Sequence, residues 1–224
     1  AKILSQIKEE LTGKIYLIFE EGEESGGGIE AMVEHLKDKK LDACYGNHQT
    51  PFLPVGKISI VKGPAYAGCA GVEFDVIGKG GHGSRPDRCI NPLTATASIV
   101  NALTTAWVNQ LDQSKIVTFG LGAINGGSAS NVIPNTCNVK GTLRFFDDKA
   151  GEDALEVLKE VTENVAKAHK CEVKFSDYTR IVAYPTINDK DLAQKAIDSL
   201  KDIYPDAFIE GQKTYGSESV SYTH

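Results

Sequence analysis

The chain has 224 residues, 41% hydrophobic and 24% charged, with a net charge of −6 and a pI of about 5.4. That length suits one large domain or two small ones around a real core, and the acidic balance argues against a nucleic-acid partner. No run approaches the roughly 18 apolar residues of a membrane helix. No segment reads as a leader peptide. Five cysteines, widely spaced and without a CxxC pair, read as reduced thiols, so a cytoplasmic location is expected.

In chain order, Ile3, Leu4, Ile7 and Leu11 stand at helical spacing, and Gly13 ends that helix. The run KIYLIFE (14–20) has the β-branched and aromatic content of a buried strand. Gly26, Gly27 and Gly28 open a second helix with Ile29, Met32, Val33 and Leu36 on one face. LDACYGNHQ is expected to be another strand. Strand, helix, strand in this order implies an α/β layer with parallel pairing.

The pattern then changes. GVEFDVIGKG alternates Val72, Phe74 and Val76 as a half-buried strand does. Asn91-Pro92 caps and starts a helix. KIVTFGLGAIN and NTCNVKGTLRFF read as two strands. A helix follows from about Gly151 to His169, with Leu155, Leu158, Val161 and Val165 as its stripe, and CEVKFSDYTR closes the set. The order β-α-β-β-α-β is the ferredoxin-like unit. In the tail, Asp189 or Asp191 caps a helix carrying Leu192, Ala196, Ile197 and Leu200. The expected fold class is α/β: a partial open α/β domain with an inserted α+β ferredoxin-like (βαββαβ) domain. The expected boundaries are 1–67, 68–181 and 182–224.

FEEGEESGGG (19–28) places Glu23 and Glu24 between a predicted strand and a glycine-opened helix. Ligand sites of open α/β sheets lie beyond the carboxyl ends of strands. Adjacent carboxylates there repel unless solvent or a cation compensates. One carboxylate holding a metal and its neighbour acting as a base would use both charges, while a solvated acidic turn is the plainer alternative. His48 ends the next predicted strand, either as a structural hydrogen-bonding residue or as a metal ligand at the same sheet edge. GKGGHGSRPD (78–87) matches GxGxxG at Gly78, Gly80 and Gly83. Arg85-Pro86 prevents a helix from starting there, and no acid follows about twenty residues on, so a nucleotide site is rejected. The glycines instead shape a loop that presents His82.

FEEGEESGGG, YGNH, LPVGKISIVKGP, GKGGHGSRPD, GGSASNVIPNTCNVKGTLRFFD and YPTIND occur in this order. Together they resemble the M20 metallopeptidase family, in the amidohydrolase branch of hippurate hydrolases and N-acyl-amino-acid amidohydrolases. The resemblance implies a catalytic α/β domain with two divalent metal ions, zinc first, with Mn, Ni or Co as alternatives. It also implies an inserted lid domain that forms a homodimer, and hydrolysis of an amide bond in a small N-acylated amino acid. By the same resemblance Glu23 is the general base and Glu24 and His48 are metal ligands. His82 is a lid histidine that reaches the neighbouring subunit's site and supports the tetrahedral intermediate. Asn131 binds substrate, and Arg144 lies near the substrate carboxylate.

The sequence departs from the family at both ends. The family's first ligands, a cysteine or aspartate and a histidine, fall before Ala1. Its last histidine ligand falls beyond GSE, and where the family reads GSEDF this chain has Gly216, Ser217, Glu218, Ser219 and Val220. The chain is therefore expected to be a fragment with an incomplete metal site. A non-catalytic dimerisation or binding module is the competing reading.

Overall fold

The computed structural model describes residues 2–19, 29–51 and 53–211. The chain divides into two units, residues 1–49 with 218–224, and residues 50–217.

In the first unit, α1 (Lys2–Gln6) is followed by a 3-10 turn (Lys8–Glu10), and α2 spans Ile29–Leu36. Gly13, at φ +108°, adopts the left-handed backbone that ends the opening segment. Two expected strands do not form: residues 14–19 and 41–49 carry no ladder. Composition supplies only half of a strand, since the backbone needs a partner to bond. Without one among the described residues, Ile15, Tyr16, Leu17, Ile18 and Phe19 stay 42–84% exposed.

The second unit carries the regular structure. β1 (Ile58–Ile60) pairs in parallel with β11 (Phe208–Glu210), and α5 (Lys190–Ile203) packs on this pair. The Asp189 side chain caps α5 by accepting the Asp191 and Leu192 amides at 2.9 and 2.8 Å. β2 (Gly63–Tyr66) pairs antiparallel with β10 (Thr186–Asn188).

Between β2 and β10 lies the βαββαβ unit: β3 (Gly68–Ile77), α3 (Pro92–Gln110), β5 (Val117–Asn125), β7 (Thr136–Phe145), α4 (Asp148–Ala168) and β8 (Glu172–Phe175). The antiparallel sheet runs β5-β7-β3-β8, which is the ferredoxin-like order, and β9 (Ile181–Ala183) adds to β3. Strand alternation sends Ala70, Val72, Phe74 and Val76 of β3 to one face, with Cys137, Val139, Leu143 and Phe145 of β7 beside them. Ala95, Ile99 and Leu103 of α3 and Ala154, Leu158 and Ala166 of α4 close this core. On the opposite face Lys140 pairs with Glu73 at 2.8 Å and Asn138 donates to Asp75 at 2.8 Å.

The helices start where their caps are. Asn91 accepts the Leu93 amide at 2.9 Å, with Pro92 in the first turn. α4 starts at Asp148, ahead of the expected Gly151, because Asp147 accepts the Ala150 amide at 3.0 Å. Gly151 lies against the Phe145 ring, where a Cβ would come within 2.5 Å of ring carbons, so the first turn of α4 rests directly on the sheet. The cap is also an ion pair: Lys115 Nζ lies 2.6 Å from Asp147 Oδ2.

Lys115, then the Ala150 amide, hold the Asp147 carboxyl below its ordinary value. Folding therefore favours the ionised form. The stabilisation is present above the ordinary carboxylate range and is lost as pH falls through the depressed folded value. Thermal unfolding followed across acid pH should show this loss, and Asp147→Asn should flatten that part of the profile. An identical acid profile in the variant would remove Asp147 from the linkage.

Candidate active site

GKGGHGSRPD forms a loop held by a long-range pairing. β4 (Gly81–His82) pairs antiparallel with β6 (Val132–Ile133), placing His82 opposite Val132 and Gly81 opposite Ile133. The Gly83 amide donates to the Asn131 carbonyl at 2.8 Å. The structure thus brings the backbone segments that carry His82 and Asn131 together, with Val132 directly opposite His82.

Asn135 anchors the approach to this ladder twice. Its carbonyl accepts the Gly78 amide, and its Oδ1 accepts the Gly80 amide, both at 2.8 Å. The chain passes so close that a Cβ on Gly80 would meet the Ile133 carbonyl oxygen at 2.6 Å. Lys79 and Ile90 exchange backbone bonds at 2.8 and 2.9 Å and close the base of the loop. At its far side Arg85 binds Asp87 through two bonds, Nε–Oδ1 at 2.9 Å and Nη2–Oδ2 at 2.7 Å. That fork holds the Asp87 carboxyl below its ordinary value and raises Arg85. This loop is legible in the sequence, whereas β6, Asn135 and Ser84 are not singled out there. A hydroxyl two residues after a histidine is the one signal that pointed to Ser84, since such side chains bond locally.

His82 is exposed, and its Nδ1 lies 3.2 Å from the Ser84 amide and 2.8 Å from Ser84 Oγ. A backbone N–H can only donate, so Nδ1 accepts, and the proton of the neutral ring sits on Nε2. That nitrogen is then a donor, as an oxyanion requires.

Arg144 lies elsewhere. It is near the end of β7, eight residues from Thr136, a span of about 26 Å along the strand. Its Nη1 donates to the Leu143 carbonyl at 3.0 Å and to Thr142 Oγ1. Within one chain the fold does not bring Arg144 to the His82–Asn131 end of the sheet.

Glu23, Glu24 and the GSESV segment lie outside the described residues. His48 is described: it is exposed, and its Nδ1 lies 2.5 Å from the Gln49 carbonyl oxygen. A carbonyl only accepts, so in this contact Nδ1 is the protonated nitrogen. Among the described residues, no three histidine, cysteine, aspartate or glutamate side chains converge to hold a metal ion. Also among the described residues, no helix is long and apolar enough to cross a membrane.

Residues 65–170, which take in the ferredoxin-like unit from β3 through α4, match the peptidase dimerisation domain of M20 proteins. An IAA-amino acid hydrolase (ILR1-like 2) of Arabidopsis thaliana is 36% identical over 99% of this chain and 51% of its own length. The chain belongs to the M20 peptidase family. The hippurate hydrolase of Campylobacter jejuni is 29% identical over 88% of this chain and 51% of its own length. The crystal structure of the Bacillus subtilis YxeP protein, described as a dinuclear metal binding peptidase of the M20 family, superposes with a TM-score of 0.75. It is 23% identical and covers 97% of this chain and 55% of that one, a likeness of fold. The chain spans about half the length of the curated relatives it matches.

Removing the Asn135 side chain should free the Gly80 amide while leaving the β3–β7 core intact. Amide exchange in Asn135→Ala is expected to accelerate at Gly80 and at Gly83 on the neighbouring ladder, with Val72 and Val139 unchanged. Equal protection at Gly80 in both proteins would show that the loop does not depend on Asn135.

Proposed function

We propose that this chain carries the lid and a portion of the catalytic domain of an amidohydrolase that cleaves N-acyl amino acids or similar conjugates. The boundaries read from the sequence, with a lid over 68–181, belong to this proposal. The observation that carries it is the likeness along nearly the whole chain to relatives named for hydrolysing amino-acid conjugates.

The donor set suits a divalent metal. By the family resemblance, the His48 imidazole and the Glu24 carboxylate give a nitrogen and an oxygen donor, types that zinc takes. His48 and Glu24 would hold the ion, zinc first, with Mn, Ni or Co as alternatives. When bound, a metal supplies Lewis acidity and lowers the pKa of water from about 16 towards 7. The chain's own residues do the rest. The Glu23 carboxylate takes a proton from the attacking water and passes it to the leaving amine. His82 donates its Nε2–H to the oxygen that becomes negative as the carbonyl carbon turns tetrahedral. Asn131, bonded through its carbonyl to Gly83, offers its side-chain amide to the substrate. Arg144 would serve a substrate carboxylate in an assembly of two chains.

In the protein that carries this chain in full, Glu23→Ala should lower turnover by about 10²–10⁴-fold with metal retained. Undiminished turnover would sink the base assignment. Elemental analysis of this polypeptide beside Glu24→Ala tests the metal assignment. Metal bound by the parent chain and lost in the variant supports it. Metal absent from both favours the competing reading, a dimerisation module without catalysis.

The partner expected is a second copy. β5 is the long outer strand of the sheet, and Leu121 and Ile124 on it are 38% and 47% exposed. A nine-residue edge offers a row of backbone groups for antiparallel extension. Sedimentation should give a dimer that Ile124→Lys shifts towards monomer; a dimer unmoved by the change would place the interface elsewhere.

A further inference from the structure

The Nδ1 atom of His82 receives both donors of a single residue. The Ser84 hydroxyl is the nearer, at 2.8 Å, and the Ser84 amide lies at 3.2 Å. Since the amide can only donate, the shared lone pair leaves the hydroxyl to donate as well. The turn that carries Ser84 is fixed on both sides. Before it, the Gly83 amide is bonded to the Asn131 carbonyl at 2.8 Å; after it, the Arg85 amide is bonded to the His82 carbonyl at 2.9 Å. The Arg85–Asp87 fork then closes the segment.

We propose that Ser84 is the positioning residue of His82, fixing both the rotation of the ring and its Nε2–H tautomer. This rests on the reading of His82 as the donor to the developing oxyanion. The chemistry is specific to that tautomer. With the proton on Nδ1, the ring would present a lone pair to a negative oxygen and repel it. A solvated imidazole samples both tautomers and rotates about its side-chain bonds. Ser84 removes both freedoms before substrate arrives, so the donor needs no rearrangement as charge develops.

The residue type matters. Alanine at 84 keeps only the amide, the longer of the two bonds. Threonine keeps the hydroxyl. Aspartate places an acceptor against Nδ1 and calls the proton to that nitrogen.

Imidazole ¹⁵N–¹H correlation spectra of the 224-residue chain read the tautomer directly, without turnover. Amide spectra of each variant verify its fold. The expected result is Nε2–H in the parent and in Ser84→Thr, a mixed population in Ser84→Ala, and predominantly Nδ1–H in Ser84→Asp. In the protein carrying the chain in full, Ser84→Ala should lower kcat about fivefold with KM unchanged, as loss of one modest hydrogen bond does. Ser84→Thr should restore it. An Nε2–H signal unchanged in both the alanine and the aspartate variants overturns the positioning assignment, whatever turnover does. If the tautomer responds as expected while His82→Ala leaves kcat untouched, Ser84 keeps its role and the catalytic reading of His82 is what fails.

Discussion

Every other element of the ferredoxin-like unit takes its place from the antiparallel ladder between β3 and β7, in which Gly68–Ile77 and Thr136–Phe145 pair residue for residue. Its unbroken register fixes which side chains face the helices. A slip by one residue would turn Val72, Phe74, Val139 and Leu143 to the polar face and bring Glu73, Asp75 and Lys140 into the core. β5 pairs on β7 and β8 on β3, and α3 and α4 cover the apolar face that the register defines.

The same ladder sets the candidate site. Beyond Ile77 the chain continues into Gly78 and Gly80, and before Thr136 it arrives from Val132 through Asn135. The two segments leave the ladder side by side and make the small β4–β6 pair that holds His82 next to Asn131. The placement of the loop therefore follows from the core. Hydrogen bonds of Asn135, Gly83 and Ser84 carry that placement outward to one imidazole ring. Arg144, at the other end of the same strand, shows the reach of this logic, because register separates the two as firmly as it joins His82 and Asn131.

Much of this was legible in the sequence because it has a period. The alternation Val72, Phe74, Val76 and the helical stripe through Leu155, Leu158, Val161 and Val165 each name the face that packs. Asn91-Pro92 announced α3 because an Asn cap and a Pro with no amide to lose are local chemistry. The apolar run 14–19 has strand composition, yet pairing is non-local and no ladder forms there among the described residues. β6 is too short to show alternation, and the Ser84–His82 bond needs a turn geometry that spacing alone does not specify. The carboxylates of FEEGEE, the loudest signal in the sequence, fall on residues 20–24, outside the described part of the chain.

The β2–β10 pair has a consequence for how such a unit travels between proteins. The chain enters the ferredoxin-like unit from Tyr66 and returns at Thr186, and these two residues are register partners; Cys69 and Ala183 face each other just inside. Entry and exit thus share one two-stranded neck. A host that already holds two neighbouring backbone strands has closed the loop in advance, and the entropy of closure grows only slowly with the length enclosed. By that scaling, closing more than a hundred residues costs about 3 kcal/mol more than closing a four-residue turn, a cost that the neck meets in advance. Exchange of the whole unit then becomes a single grafting event at two adjacent strand positions, with the core and the His82 loop carried over intact.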